Sequence, residues 1–394
     1  MSTMPDPSET PTVAQVKPLV AKFMGDAWVA EGYTAPNTDV YPWLWLWDSC
    51  FHVLVWAALG RPDRALSELA AVLDYQDETG FVPHMGYQLD PQHAVGLWGR
   101  ANSSSITQPP MYAHALRWLV DHGVEVPDEL IERSAAGLRF LFEVRARDHD
   151  SGLITVVHPW ETGCDDSPRW DHFCPGDGFD LTRWRQHKID LLADIRFGSA
   201  GSPIANPSFA AAPIGFNALV AWNARELAAI TGDQHLIALS DELSARIAQR
   251  WDRRRRTWID GGPSATTSGS VRTADALCAL LVVDDPQSQH AAFADLDREG
   301  DYGGSFGPRG VHPNEPMYDP STYWRGPVWP QLAYLLWWAA RTSGAPDMAE
   351  RLRQRTVTGA VASGFAEYWN GDTGHGGGAI PQSWAGLALI MAEA

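Results

Sequence analysis

Residues 210–251 read AAAPIGFNALVAWNARELAAITGDQHLIALSDELSARIAQRW, two helix-length runs joined by Gly232-Asp233. In the second run Leu236, Leu239, Leu243 and Ile247 recur at three- and four-residue intervals, the period of a helix packed on one side. A glycine followed at once by an aspartate stops one helix and caps the next, so the pair turns back on itself. The unit recurs. Candidate helices fall at 12–30, 49–59, 63–76, 108–122, 128–145, 210–231, 234–251, 270–283, 287–298, 328–343, 347–362 and 383–393. Ile131, Ala135, Leu138 and Phe142 mark another such stripe. The links Gly60-Arg61-Pro62, Gly123 to Pro127, Gly232-Asp233, Asp284 to Pro286 and Gly344 to Pro346 are short. Those at about 31–48, 77–107, 146–209, 252–269, 299–327 and 363–382 are long.

Strict alternation of short and long links places every long loop at one end of an antiparallel assembly. The expected fold is all-α, an (α/α)6 toroid of six helical hairpins whose long-loop face carries the site. No repeat of fixed period is visible, so an open helical solenoid is the alternative. No composition break divides the chain, and residues 1–394 are expected to form a single domain, with 146–209 an excursion placed to act as a lid. Only Leu153-Ile154-Thr155-Val156-Val157 reads as a strand.

A formal net charge of −18 argues against a nucleic-acid surface or an anionic membrane as partner, since both need clustered Lys and Arg. The run Arg253-Arg254-Arg255-Arg256 is too short to reverse this. Four scattered cysteines fit a reducing cytoplasm, and Met1 to Val16 lacks the apolar run of a signal peptide. No stretch has the roughly 18 unbroken apolar residues of a membrane span. HExxH, Walker and Rossmann patterns are missing, so neither a metal nor a nucleotide cofactor is expected. The 19 tryptophans are the outlier; their flat apolar faces suit both helix packing and the C–H faces of sugar rings.

One long loop contains Trp160-Glu161-Thr162-Gly163-Cys164-Asp165-Asp166-Ser167-Pro168-Arg169-Trp170-Asp171, five ionisable residues and two tryptophans in twelve positions. Solvation explains the acids of such a loop but not the tryptophans, which are costly to expose. Tyr41-Pro42-Trp43-Leu44-Trp45-Leu46-Trp47-Asp48 alternates Trp with Leu and offers a sugar-facing wall, with Asp48 placed to cap a helix. Gln108 is a candidate partner for hydroxyls. Tyr323-Trp324-Arg325-Gly326-Pro327-Val328-Trp329 and Glu367, beside Tyr368 at the start of a glycine-rich loop, lie on the same expected face. Asp165 and Glu367 are thus two carboxyls among aromatics on different loops, as glycoside hydrolysis requires: one gives a proton to the leaving oxygen, the other activates water. Gly303-Gly304-Ser305-Phe306-Gly307 and His375-Gly376-Gly377-Gly378 mimic esterase motifs, but no strand precedes Ser305 and the order is reversed.

The stretch at 160–171 resembles the W-E-[ST]-G-x-D-[ND]-S-P-R-W-D signature of glycoside hydrolase family 63, in its small mannosylglycerate and glucosylglycerate hydrolase branch. Tyr323 to Trp329 and Glu367 to Gly374 match as well, and the likeness runs from about Tyr41 to Trp384. The resemblance implies an (α/α)6 barrel and inverting hydrolysis of an α-glucoside or α-mannoside, with Asp165 as general acid and Glu367 as general base. Asp166 falls where the family tolerates Asn. Inversion implies carboxyls roughly 6.5–9.5 Å apart. Tyr41, Trp45, Trp47, Asp48, Gln108, Trp160, Gly163, Tyr323, Trp324, Trp329, Gln382 and Trp384 fall where the family lines its sugar subsite. Glycerate-specific relatives carry a stretch like R-P-T-x-x-E-Y in the segment corresponding to 180–210; this chain has Arg196-Phe197-Gly198-Ser199-Ala200-Gly201-Ser202, leaving Arg196 as the aglycone candidate. Two alternatives stay open: a sugar isomerase or epimerase using His84, His158, His187 or His375, and a carbohydrate-binding protein without turnover. A homo-oligomer is also open.

Overall fold

The computed structural model describes residues 10–174, 176, 178–265 and 271–394; residues 1–9 of the N-terminal stretch and residue 270, where one candidate helix begins, lie outside the described residues. The Gly232-Asp233 link shows why the chain folds into hairpins. Gly232 takes the left-handed conformation (φ +72°) that ends the helix Ile214–Thr231, and the Asp233 carboxylate accepts from the amides of His235 and Leu236 to start Gln234–Ala248. Other short links end on a proline in the first turn of the following helix, as at Pro62, Pro286 and Pro346.

Among the described residues, six helical segments form a closed ring: Leu46–Ala58, Tyr112–Asp121, Ile214–Thr231, Ala274–Leu281, Pro330–Thr342 and Leu387–Glu393, each packed on the next and the last on the first. These inner segments are apolar nearly all round. Every residue from Leu46 to Trp56 and from Ile214 to Ala224 is buried. Val13–Asp26, Pro62–Leu73, Asp128–Arg139, Gln234–Ala248, Pro286–Asp297 and Pro346–Ala362 stand outside and bury only a stripe, such as Leu236, Ser240, Leu243 and Ile247. This is the (α/α)6 toroid. Its sixth pair is made by the two ends of the chain: Val13–Asp26 packs on Leu387–Glu393, and Lys17 Nζ lies 3.0 Å from Glu393 Oε1. No described helix is long and apolar enough to cross a membrane.

The departures from the expected helices are local. The segment read at 270–283 forms a 3-10 run at Ala274–Leu281, pressed so close to its neighbour that a Cβ on Gly215 would lie 2.8 Å from the Asp275 carbonyl oxygen. Leu153 to Val157 makes no strand, only a bridge between Ile154 and Arg147. The described strands are antiparallel pairs of two or three residues, too short to show alternation in sequence. The excursion at 146–209 holds a helix that the sequence reading missed, Leu181–Leu191, capped by the Asp180 side chain on the Arg183 amide.

Candidate active site

Five of the long connections, with the first turn of Leu46–Ala58, enclose a cavity of about 250 Å3. That lies below the roughly 300–1,000 Å3 of pockets for drug-sized ligands and suits a small glycoside. Its floor is built at the helix start. Asp48, in the first turn, is buried and lies 3.4 Å from Gln382 Nε2, while Gln108 Oε1 accepts from the Trp47 amide at 3.2 Å. Burial first, then the charge of Glu367, pushes the Asp48 carboxyl well above its ordinary range. Leu44–Trp45 pairs with Met85–Gly86, which sets His84 and Met85 against Trp45 on one wall.

Glu367 enters from the opposite side. Its Oε2 accepts from the Ala379 amide at 3.0 Å, and the Tyr41 hydroxyl reaches Oε1 at 3.2 Å. The approach requires glycine at 378, where a Cβ would lie 2.2 Å from Oε2. Burial raises the Glu367 pKa to about 7, helped by the Asp165 charge and opposed by the donors from Ala379, Tyr41 and Tyr323.

The segment 160–171 divides its ionisable residues sharply, since only Asp165 lines the cavity and the others anchor the loop. Glu161 is fully buried and saturated: Arg145 donates to both its oxygens at 2.9 and 2.5 Å, and the amides of Thr107 and Val157 add 3.1 and 2.7 Å contacts. Arg169 is buried between Asp260 and Asp275, and Asp171 takes a two-pronged contact from Arg325 at 2.9 and 2.6 Å. Lys188, from the helix missed in sequence, lies 2.9 Å from Asp165 Oδ2 and 2.5 Å from Asp166 Oδ1. Burial and the Asp165 charge hold the Asp166 carboxyl above the usual range, and Trp184 Nε1 donates to it at 2.9 Å. Because removing one partner of a buried ion pair strands the other charge, Arg169→Ala is expected to cost about 3–5 kcal/mol. Urea unfolding measures this, and a loss under about 1 kcal/mol would mean the triad does not anchor the loop.

Of the residues singled out in sequence, Tyr41, Trp45, Trp47, Asp48, Gln108, Trp160, Gly163, Asp165, Tyr323, Trp324, Glu367, Gln382 and Trp384 all line the cavity. Two do not. Trp329 lies face to face with Trp324, ring centres 3.5 Å apart and planes 4° from parallel, and supports it from outside the lining. Arg196 is exposed on a short strand pair, because that pair turns its side chain to solvent while Ile195 takes the buried position beside Trp160 and Trp98. Pro36, His84, Met85 and Trp98 complete the lining and were not singled out as sugar contacts. Of the four candidate histidines only His84 reaches the cavity. His158 is buried, its Nδ1 accepting from the Trp160 amide and its Nε2 2.8 Å from the Lys188 carbonyl, so it orients the loop. His375 is exposed, and Ser305 sits exposed in a hairpin turn between Gly303–Gly304 and Gly307–Pro308, without the strand-to-helix elbow of an esterase. Among the described residues no cluster of three His, Cys, Asp or Glu is arranged to hold a metal.

The family model described as mannosylglycerate hydrolase MGH1-like glycoside hydrolase domain matches residues 41–385. The chain is 29% identical to a mannosylglycerate hydrolase of Thermus thermophilus, over 91% of this chain and 96% of that protein. It is 28% identical to a glucosylglycerate hydrolase of Mycolicibacterium hassiacum, over 98% of each. In three dimensions it superimposes with a TM-score of 0.80 on the crystal structure of a family 63 mannosylglycerate hydrolase from Thermus thermophilus in complex with Tris and D-glycerate, at 24% identity, covering 95% of this chain and 99% of the other.

Proposed function

Because the chain belongs to the mannosylglycerate hydrolase MGH1-like branch of glycoside hydrolase family 63, we propose that it hydrolyses a small α-glucoside or α-mannoside with inversion, through Asp165 and Glu367. The substrate size is supported by the relatives, which are named mannosylglycerate hydrolase and glucosylglycerate hydrolase. The observation that carries the reading is the lining itself: two carboxyls from different loops face one aromatic cavity of sugar size.

In this reading the sugar ring lies on the tryptophans, and Asp48, Gln108 and Gln382 bond its hydroxyls. Glu367 is the general base. Its oxygens accept from an amide and two phenols, an arrangement that serves a proton acceptor, and a pKa of about 7 matches proton removal from water near neutrality. Asp165 protonates the leaving oxygen. A second allocation has one observation in its favour: Asp165 is ion-paired with Lys188 at 2.9 Å while Glu367 is the carboxyl whose pKa burial raises to about 7, so that Asp165 would be the base and Glu367 the acid. The two are separated by the variants discussed below. We also assign the protein to the cytoplasm, on the support of four cysteines scattered through the sequence without the spacing of a disulfide framework.

The hydrolytic reading is tested by following an α-glucoside by proton NMR. The β-anomer is expected first, with the α-anomer growing only by mutarotation. Early α-anomer would exclude inversion, and no sugar release from any α-glucoside or α-mannoside would exclude hydrolysis.

A further inference from the structure

The cavity is lined without a single Lys or Arg. The cations that anchor its loops are already paired: Arg145 on Glu161, Arg169 on Asp260 and Asp275, Arg325 on Asp171, and Lys188 between Asp165 and Asp166. Arg196 is exposed outside the lining. Residues 1–9, 175, 177 and 266–270, which the structure does not describe, include no Lys, Arg or His. The one basic residue in the wall is His84, buried, with Nδ1 2.5 Å from the Ser104 hydroxyl. Burial lowers its pKa to about 3, so it is uncharged across the physiological range.

What the cavity does offer is uncharged donors and one uncharged acceptor. Trp45 Nε1, Trp47 Nε1, Trp324 Nε1 and Gln382 Oε1 are buried with no partner from the protein. Groups of that kind need partners. Gln382 Oε1, on the sugar floor, needs a donor such as a sugar hydroxyl, and the three indole N–H groups need acceptors, which neutral hydroxyl oxygens supply without a counter-charge. The wall formed by Trp45, His84, Met85, Trp98 and Trp160 is apolar. A carboxylate there would lose its water, and the Lys188 ammonium 5.6 Å from the Trp160 ring centre is already held by Asp165 and Asp166, whereas an alcohol brings no charge and can accept from Trp45 Nε1.

We infer that the substrate is an α-glycoside of a small uncharged polyol, whose aglycone rests on this wall and carries hydroxyls where the glycerate named for the relatives' substrates carries a carboxylate. The inference rests on the hydrolase reading above and narrows it. A matched pair of substrates tests it: 2-O-α-glucosylglycerol and 2-O-α-glucosylglycerate differ only in a hydroxymethyl group against a carboxylate. With wild-type enzyme at pH 7, kcat/KM is expected to favour the glycerol compound by about 100-fold or more. Equal rates, or a preference for glycerate, would overturn the inference and leave the hydrolase reading standing. So would a glycerate preference that Arg196→Ala abolishes, since the exposed guanidinium would then be reaching into the cavity. α-Glucosyl fluoride and α-mannosyl fluoride, which carry no aglycone, separate the two levels. Cleavage of a fluoride with no cleavage of either glycerol or glycerate compound would overturn the polyol assignment alone, and no cleavage of any of them would overturn the hydrolase reading as well.

Discussion

Replacing Glu367 with alanine is expected to lower kcat/KM for α-glucosides by about 10²- to 10⁴-fold, the usual contribution of a general base. The protein should stay folded, because the side chain ties down only the Ala379 amide and the Tyr41 and Tyr323 hydroxyls. Azide should restore turnover. It needs no deprotonation, it fits the space freed by the lost carboxyl, and in-line attack on an α-glucoside gives the β-glucosyl azide as product. The pH profile of the wild type supplies an independent reading. A base with a pKa of about 7 must be ionised, so kcat/KM should fall about tenfold for each pH unit below that value. If Glu367 were the acid, the fall would come on the alkaline side and azide would restore nothing.

The second large effect is selective. Asp165→Ala is expected to abolish cleavage of glycosides with alcohol leaving groups, again by about 10²- to 10⁴-fold, while α-glucosyl fluoride stays within about tenfold of wild type. Fluoride departs with little help from an acid, so loss of the proton donor costs it little. The same variant releases Lys188 from one of its two carboxylates, and thermal unfolding on the same preparations shows whether the loop around Asp166 survives. Azide rescue of Asp165→Ala, together with fluoride activity retained by Glu367→Ala, would exchange the two roles. No rescue in either variant and equal losses on every leaving group would remove both residues from the chemistry.

Most of the ring was legible because its two classes of helix leave different marks. The outer helices show stripes such as Leu236, Leu243 and Ile247, and the links between hairpins carry the Gly, Pro and Asp that any tight turn needs. The Leu181–Leu191 helix was not read because its sequence is mostly polar. Its signal was slight but present: Asp180 as cap and the spacing of Trp184, Lys188 and Leu191, the three buried positions. That omission mattered, since Lys188 bridges Asp165 and Asp166, and no inspection of 160–171 by itself could show it. Trp329 and Arg196 were misplaced for a related reason. Spacing shows that a residue belongs to a loop, but a loop has two sides, and only packing decides which one meets the cavity. Within 160–171 the sequence also could not tell the one carboxyl that lines the cavity from those that hold the loop, because Glu161 and Asp171 are told apart from Asp165 by partners such as Arg145 and Arg325, which lie outside the stretch.

The pairing of Val13–Asp26 with Leu387–Glu393 has a consequence for the order of assembly. Contacts between the extremes of a chain form late, since they carry the largest loop-closure cost. Glu367, Gln382 and Trp384 belong to the same closing portion. During synthesis the earlier hairpins can associate as they leave the ribosome, yet the cavity is not completely lined until the circle is shut. A chain stalled short of residue 367 lacks one carboxyl of the proposed pair, and is therefore expected to be inert and not merely a weak glycosidase.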